Sequence, residues 1–340
     1  MLAIVEPEIE SYSPFSYKAI IDSLSSGGYD IKFRRLRKKL KKKRAIYYKY
    51  PVLNPDELSD ADLFVVFSPY ATSHKAKKWS RQYSVKLLHL EAGFFYKSAL
   101  CDIGGFWGEA SVYPNIKSIL KNIDINVAQT WADKYRHYIV SNNISKRKQE
   151  NKHTNKTNRF VFLPMQYMDD QSVLRFGSCP YPRFMKEVAR FCKTNDLDLF
   201  IKRHPHAYRK EPKDVNRIVK RLKRIHSRTF IVDGSIHWYC QNCRVMAGMN
   251  TGAISDGLIN KTIMTHCGQS IFEKSGSVIH NNDIQQGLQD ALDLDDKNYI
   301  YEQQSRMLYF LYHRYLLLGD TPFDCEMTNK EKVDSQLGLL

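Results

Sequence analysis

Three polar segments in the second half of the chain carry side chains that could hold an anion and attack an electrophile, and each follows a short apolar run. The first contains Gln166, Asp169, Asp170 and Ser172. The second contains Lys202, His204, Pro205 and His206, and the third Asn250, Thr251, Gly252, Ser255 and Asp256. A carboxylate such as Asp170 serves as a nucleophile or a general base, or simply caps the helix that follows. Lys202 and His204 supply a cation and an imidazole suited to a phosphate, although His-Pro also forms a plain turn. Small residues that open a helix leave backbone N–H groups pointing outward, which favours an anion there. Thirty-four residues separate Asp170 from His204 and 46 separate His204 from Asn250, spacings that suit successive βα units. Ligands of open parallel sheets lie beyond the strand carboxyl ends, so the three segments are expected to share one nucleotide site.

The elements that must position these groups are legible as alternation. Strands are expected at 2–6, 62–68 and 85–91 in the first half and at 160–166, 197–202, 229–233, 244–249 and 262–267 in the second. Helices are expected at 13–25, 73–83, 183–194, 212–228 and 252–260, with Ser13 as a cap and Pro14 at a first helical position. A long helix rich in Tyr and Leu is expected at 299–318, packed rather than presented as an aromatic platform. The polar stretch 142–158 reads as a linker, so domains are expected at 1–150 and 158–295, with a helix and tail at 296–340 that crosses back to the first domain. Strand–helix alternation on both sides of a linker predicts an α/β fold of two Rossmann-like domains facing a cleft, the GT-B type.

Composition excludes several classes. The apolar fraction of 43%, with 21 Tyr and 17 Phe, supplies a core and argues against extended disorder. Seven scattered cysteines do not form the even framework of a small disulfide-bonded protein. Cys240 and Cys243 form a single CxxC, near His237, His266 and Cys267, for which buried thiols are the alternative to a zinc site. No apolar run approaches the roughly 18 to 20 residues that span a bilayer, and the N-terminus reads as a strand rather than a signal peptide. A cytoplasmic location is expected. The net charge of +16 is concentrated at 32–44, where ten of thirteen residues are Lys or Arg. Helix-turn-helix, RNP-like and zinc-finger signatures are lacking, so nucleic acid is not the expected partner. Leu36 and Leu40 lie four apart among the cations, and Arg37, Lys38, Lys41 and Lys42 are expected to meet an anionic membrane surface, placing the protein at the inner membrane face.

The ordered set Gln166, Asp170 and Ser172, then Lys202, His204 and Pro205, then the small-residue helix opening before Asn260, Lys261 and Gly268, resembles the capsule polysaccharide biosynthesis and export family, which includes Kdo transferases. In the first half Glu91, Gly93 and Phe94, followed by Gly104, Gly105 and Gly108, are similar to that family's Glu-x-Gly-aromatic and glycine-rich segments. The resemblance implies a GT-B glycosyltransferase that takes a CMP-activated sugar, Kdo or a relative, and passes it to a glycan or glycolipid. It implies that Lys202, His204 and Pro205 lie at the CMP phosphate. Gln166, Ser172, Asn250, Thr251, Gly252 and Ser255 would frame the donor. Asp170 would face the anomeric carbon as nucleophile or base, and Glu91 would serve as base or orient the acceptor. No metal and no resident cofactor is implied. The third segment departs from the family pattern at Asn250 and Ser255, and Asp169 stands beside Asp170. UDP- or GDP-linked donors, a noncatalytic scaffold and a nucleic-acid binder are the alternatives.

Overall fold

Apolar runs too short for helices, rich in β-branched and aromatic residues, form the strands, and longer amphipathic stretches cover them. The computed structural model describes residues 1–7, 9–10, 13–36, 50–67, 69–146, 149–150, 159–168, 170–204 and 212–339. Pro205, Asp169, Arg37, Lys38, Lys41 and Lys42 lie outside them. Two compact units are present, one built from Met1–Ser111 with Leu311–Leu340 and the other from Val112–Phe310.

The first unit begins with β1 (Leu2–Val5), α1 (Pro14–Ser26), β2 (Asp30–Phe33), β3 (Leu63–Phe67), α2 (Pro69–Gln82), β4 (Lys86–Ala92) and β5 (Ser98–Asp102). Strands β1 to β4 pair in parallel, and β5 returns antiparallel to β4. Ser13 occupies the cap position of α1 with Pro14 at its start, but its hydroxyl bonds the Ser16 hydroxyl at 2.6 Å instead of a backbone N–H.

The second unit contains α3 (Ile116–Lys121), α4 (Ile125–Ser141), β6 (Phe160–Pro164), α5 (Gln171–Phe176), α6 (Tyr181–Thr194), β7 (Asp198–Lys202), α7 (Pro212–Ile225), β8 (Thr229–Val232), α8 (Ile236–Asn242), β9 (Val245–Met249), α9 (Ile254–Ile259), β10 (Met264–Cys267), β11 (Ile279–His280), α10 (Ile284–Leu292) and α11 (Asn298–Phe310). Its six strands are all parallel, in the order β11-β10-β9-β6-β7-β8. Val161, Leu163, Leu199, Ile201, Ala247 and Met249 turn one face of the sheet into a core with Phe184, Val188, Val219 and Leu288.

Two expectations are corrected. The units do not divide within 142–158. Helix α4, which precedes that stretch, packs on α11, and the buried guanidinium of Arg136 donates to Leu258 O and to Ser305 Oγ inside the second unit. The start of the polar stretch is itself tied down: Ser235 Oγ and Gln149 Nε2 donate to Asn143 Oδ1, and Ile236 N donates to Gln149 Oε1. Asn143 and Gln149 are thus polar because they hydrogen-bond within the second unit. The helix expected through 318 ends earlier, because residues 311–315 form a π-helical turn and Leu316–Leu318 becomes strand β12, antiparallel to β5.

The C-terminal return, β12 and α12 (Asn329–Leu337), is anchored by two buried charges. Asp102, at the end of β5, accepts from Gly104 N (2.6 Å), Gly105 N (2.9 Å), Ser111 N (2.9 Å), Ser111 Oγ (2.8 Å) and Tyr315 Oη (2.7 Å). Lys332, 2% exposed, donates to Tyr312 O at 2.7 Å and Leu316 O at 2.8 Å. Removing the acceptor strands several buried donors at once. Asp102→Ala is therefore expected to lower unfolding free energy by about 3 kcal/mol, and Tyr315→Phe by about 1 kcal/mol, measured by urea titration. Equal, near-zero losses would show that the Asp102 turn does not hold the return strand.

Candidate functional site

The strand order places β6 next to β9, with β7 and β8 on one side and β10 and β11 on the other. Connections leave β6 and β9 in opposite directions, which opens a crevice at their carboxyl ends, the place where doubly wound sheets bind ligands. Three predicted residues meet there. Gln166 Nε2 donates to Asn250 O at 2.8 Å, Ser172 Oγ donates to the same oxygen at 3.1 Å, and Asn250 Nδ2 donates to Ser172 O at 3.0 Å. The last bond fixes the amide orientation, since a carbonyl only accepts. Asn250 Oδ1 must then accept, and His266 Nε2 lies 3.0 Å away. His266 Nε2 also lies 3.3 Å from Asn250 N, which donates to it, and among the described residues its Nδ1 is buried without a hydrogen-bond partner.

Asn250 holds this position with φ of +45°, a left-handed conformation that Asn tolerates better than most residues. Gly268 faces it with φ of +105°, and a side chain there would begin 2.5 Å from Phe176 O and 2.7 Å from Asn250 Nδ2. The glycine that follows β10 is required by close approach as well as by backbone angle.

Around this frame stand the groups with chemistry to offer. Asp170 caps α5, its Oδ1 accepting from Ser172 N at 2.8 Å, so the cap and the site readings fall on one residue. The ring of Tyr167, in the same turn, packs on His204 with centroids 4.5 Å apart, joining the turn after β6 to the end of β7. Pro164 and Lys202 are register partners, and Met165 N donates to Lys202 O at 2.8 Å. Lys202 Nζ donates to Gly234 O at 2.5 Å, and burial holds its ammonium below the usual lysine range although Asp233 and Asp256 oppose that shift. Thr251 is buried with Oγ1 accepting from Ala253 N, and Ser255 Oγ donates to Gly252 O at 2.9 Å.

The predicted second-unit residues thus sort into two groups. Gln166, Ser172, Asn250, Thr251 and Ser255 make hydrogen bonds within the frame and set its shape, whereas Asp170, Lys202 and His204 line its half-buried edge. Glu91 belongs to the first unit, near the end of β4, where its Oε1 accepts from Ala92 N at 3.1 Å. The sequence reading missed the positioning part of His266. It named Asp256 in the third segment without giving it a part, and it missed Lys146, whose signal was a lysine inside an apparent linker. Cys240 of the CxxC is buried in the core with Sγ 4.0 Å from Met246 Sδ.

Burial, assisted by the facing His280, holds His266 down to about 3. Unfolding returns it to about 6.5, so the folded state binds fewer protons between these values and loses stability as pH falls from about 6.5 towards 3. His266→Gln keeps a side-chain amide that can both donate to and accept from Asn250 and does not titrate. Its unfolding free energy is expected to fall less than that of the wild type between pH 7 and pH 5 in urea titrations. Parallel pH slopes would show that His266 titrates alike in both states.

Two solved structures share this fold. Thermosulfurimonas dismutans KpsC, beta Kdo 2,4 transferase, is 13% identical with a TM-score of 0.61, covering 93% of this chain and 91% of that one. Thermosulfurimonas dismutans KpsC, beta Kdo 2,7 transferase, is 14% identical with a TM-score of 0.58, covering 100% and 99%. No curated relative matches the chain. The two parallel-dominated sheets are those expected for the GT-B type, with β5 and β12 as antiparallel additions. The model of the capsule polysaccharide biosynthesis protein family covers residues 110–315, more than half of the sequence and all of the unit that carries the crevice, and the chain belongs to that family.

Proposed function

We propose that the protein is a glycosyltransferase that moves Kdo or a related sugar from a CMP-activated donor to a glycan or glycolipid acceptor. The observation that carries the reading is the position of Asp170, Lys202 and His204 after the carboxyl ends of β6 and β7, beside the switch point of the unit matched by the family. The names of the two similar KpsC structures support the choice of sugar. Lys202 and His204 would face the donor phosphate and stabilise charge as it departs, without a metal or a resident cofactor. Asp170 would attack the anomeric carbon through a carboxylate oxygen. A bond from carbon to that oxygen forms, the bond to the phosphate oxygen breaks, and its electron pair leaves with CMP. An acceptor hydroxyl then displaces Asp170, giving overall retention, and gives up its proton to a general base.

Asp170→Asn keeps the size and an acceptor for Ser172 N but removes the nucleophile. Transfer is expected to fall at least about a thousandfold while donor binding persists. His204→Ala should leave the fold intact and weaken CMP binding by about 1 to 3 kcal/mol. Wild-type turnover of the Asp170 variant would reduce that residue to a cap, and tighter binding of UDP or GDP than of CMP in the same calorimeter would move the donor class.

Among the described residues no helix is long and apolar enough to cross a membrane. We propose that the basic segment containing Arg37, Lys38, Lys41 and Lys42 docks the protein peripherally on anionic lipid, each cation near the surface adding about 1 kcal/mol before screening. Neutral substitution of these four should abolish sedimentation with phosphatidylserine vesicles and spare activity on a short soluble acceptor. Retained sedimentation, or activity lost on the soluble acceptor, would overturn the assignment.

A further inference from the structure

Helices α6 and α7 cover the same face of the second sheet and pack on each other. Phe184, Met185 and Val188 of α6 and Val215, Val219 and Leu222 of α7 enter one core with β6 and β7. Their outward faces carry cations. Arg183 and Lys193 on α6, and Lys220, Arg221 and Arg224 on α7, are exposed, and Lys186 on α6 is half-buried. Among the described residues none of these six forms an ion pair.

The described acids nearby are engaged elsewhere. Glu187, the one acid of α6, accepts from Gln285 Nε2 of α10 and pairs with Arg190 of its own helix. Asp290 and Asp293 accept from Gln286 and Gln289 within and just after α10. Asp196 and Asp198, beyond the far end of α6, hold Arg159 and Arg228. Lys193 and Arg224 lie in last helical turns, where a cation also answers the helix dipole. Arg183, Lys186, Lys220 and Arg221 do not. The strip they form has a direction. Helix α6 starts at the crevice, where Tyr181 Oη accepts from Gln166 N at 2.8 Å. Arg203, just beyond β7, donates to Asn216 Oδ1 near the start of α7 at 3.0 Å. From these starts each helix runs 14 residues, carrying the strip about 21 Å away from the crevice.

We propose that this cationic strip on α6 and α7 is an exosite for a linear acidic glycan, one that carries carboxylates along its length and reaches the crevice with one end. A helix that docks on lipid sets apolar side chains beside its cations. Here the apolar side chains of both helices are spent on the core, Ile218 and Ile225 included, and neither helix exposes a large one. A narrow track that leaves the crevice lengthwise fits a chain better than it fits a flat bilayer. Several weak contacts along such a track add up and hold a chain near the crevice between transfers. That the polymer is a glycan rests on the transferase reading above, in which each Kdo transferred brings a carboxylate. That it is a linear polyanion rests on the strip alone.

Calorimetric titration of the whole chain with oligogalacturonate, a linear glycan with a carboxylate on every sugar, reads the contact directly. Binding is expected at low salt and should weaken steeply as salt is added, and neutral maltooligosaccharide should not bind. Arg183→Gln, Lys186→Gln, Lys220→Gln and Arg221→Gln together should weaken oligogalacturonate binding at least about tenfold. CMP affinity and the urea midpoint of that variant should stay at wild-type values, since the four stand outside the last helical turns and the core. Neutralising Arg37, Lys38, Lys41 and Lys42 instead should leave oligogalacturonate affinity unchanged. No binding of oligogalacturonate, equal affinity in the wild type and the strip variant, or loss confined to the second variant overturns the proposal. So does strip-dependent binding of phosphatidylserine vesicles or oligothymidylate that is tighter than that of oligogalacturonate. Strip-dependent glycan binding by a chain that neither binds CMP nor transfers sugar removes the transferase reading and keeps the exosite. CMP binding and transfer, with glycan affinity indifferent to the strip, keeps that reading and removes the exosite.

Discussion

The crevice of the second unit depends on the side chain of Asn250. Its side-chain amide donates to Ser172 O at the start of α5 and meets His266 Nε2 of β10, while the backbone carbonyl of the same residue accepts from Gln166 and Ser172. Three loops that would otherwise move separately are thus one hydrogen-bonded body. The cost is a left-handed backbone at Asn250, a glycine at position 268 and an imidazole kept neutral by burial. Each of these is intelligible only through the others. A β-branched residue at 250 could not adopt the backbone, and an apolar one could not join the loops.

This rigidity explains the division of labour among the polar residues. On the proposed donor reading, phosphate and sugar would meet groups whose position is settled before binding, because ordering them during the reaction would cost free energy at the transition state. Gln166, Ser172 and Asn250 satisfy one another, which leaves Asp170, Lys202 and His204 at the rim on a fixed base. The cap made by Asp170 belongs to the same logic. A carboxylate held by the Ser172 amide has one oxygen committed and its direction set.

Much of this was readable from residue order. Short apolar runs ending in polar triplets marked the carboxyl ends of β6, β7 and β9, because parallel strands buried on both faces leave few other apolar patterns. What the chain could not declare was which polar groups face inward. Asn250 and Ser255 look like ligand contacts in sequence, and only the register of β9 with β10 turns Asn250 towards His266. Residues 142–150 have a linker's composition, yet Ser235 and Ile236, far along the chain, give that segment partners. Leu316–Leu318 continues the helical spacing of the Tyr-rich run, and its pairing with β5, more than 200 residues away, makes it a strand. Each misreading concerned a non-local partner, which no window of neighbouring residues contains.

The first unit is written in two pieces of chain, and the second lies whole between them. On the ribosome the second unit is therefore complete before the strand that finishes the first has been made. Until Leu316–Leu318 emerges, β5 presents an unpaired edge, and unpaired edges recruit foreign strands. Lys332 and α12 come later still, so the first sheet closes after the second unit is complete. Nascent chains halted shortly before residue 316 would carry a finished second unit beside a sheet still open at β5, and would be the form most exposed to chaperones and to aggregation.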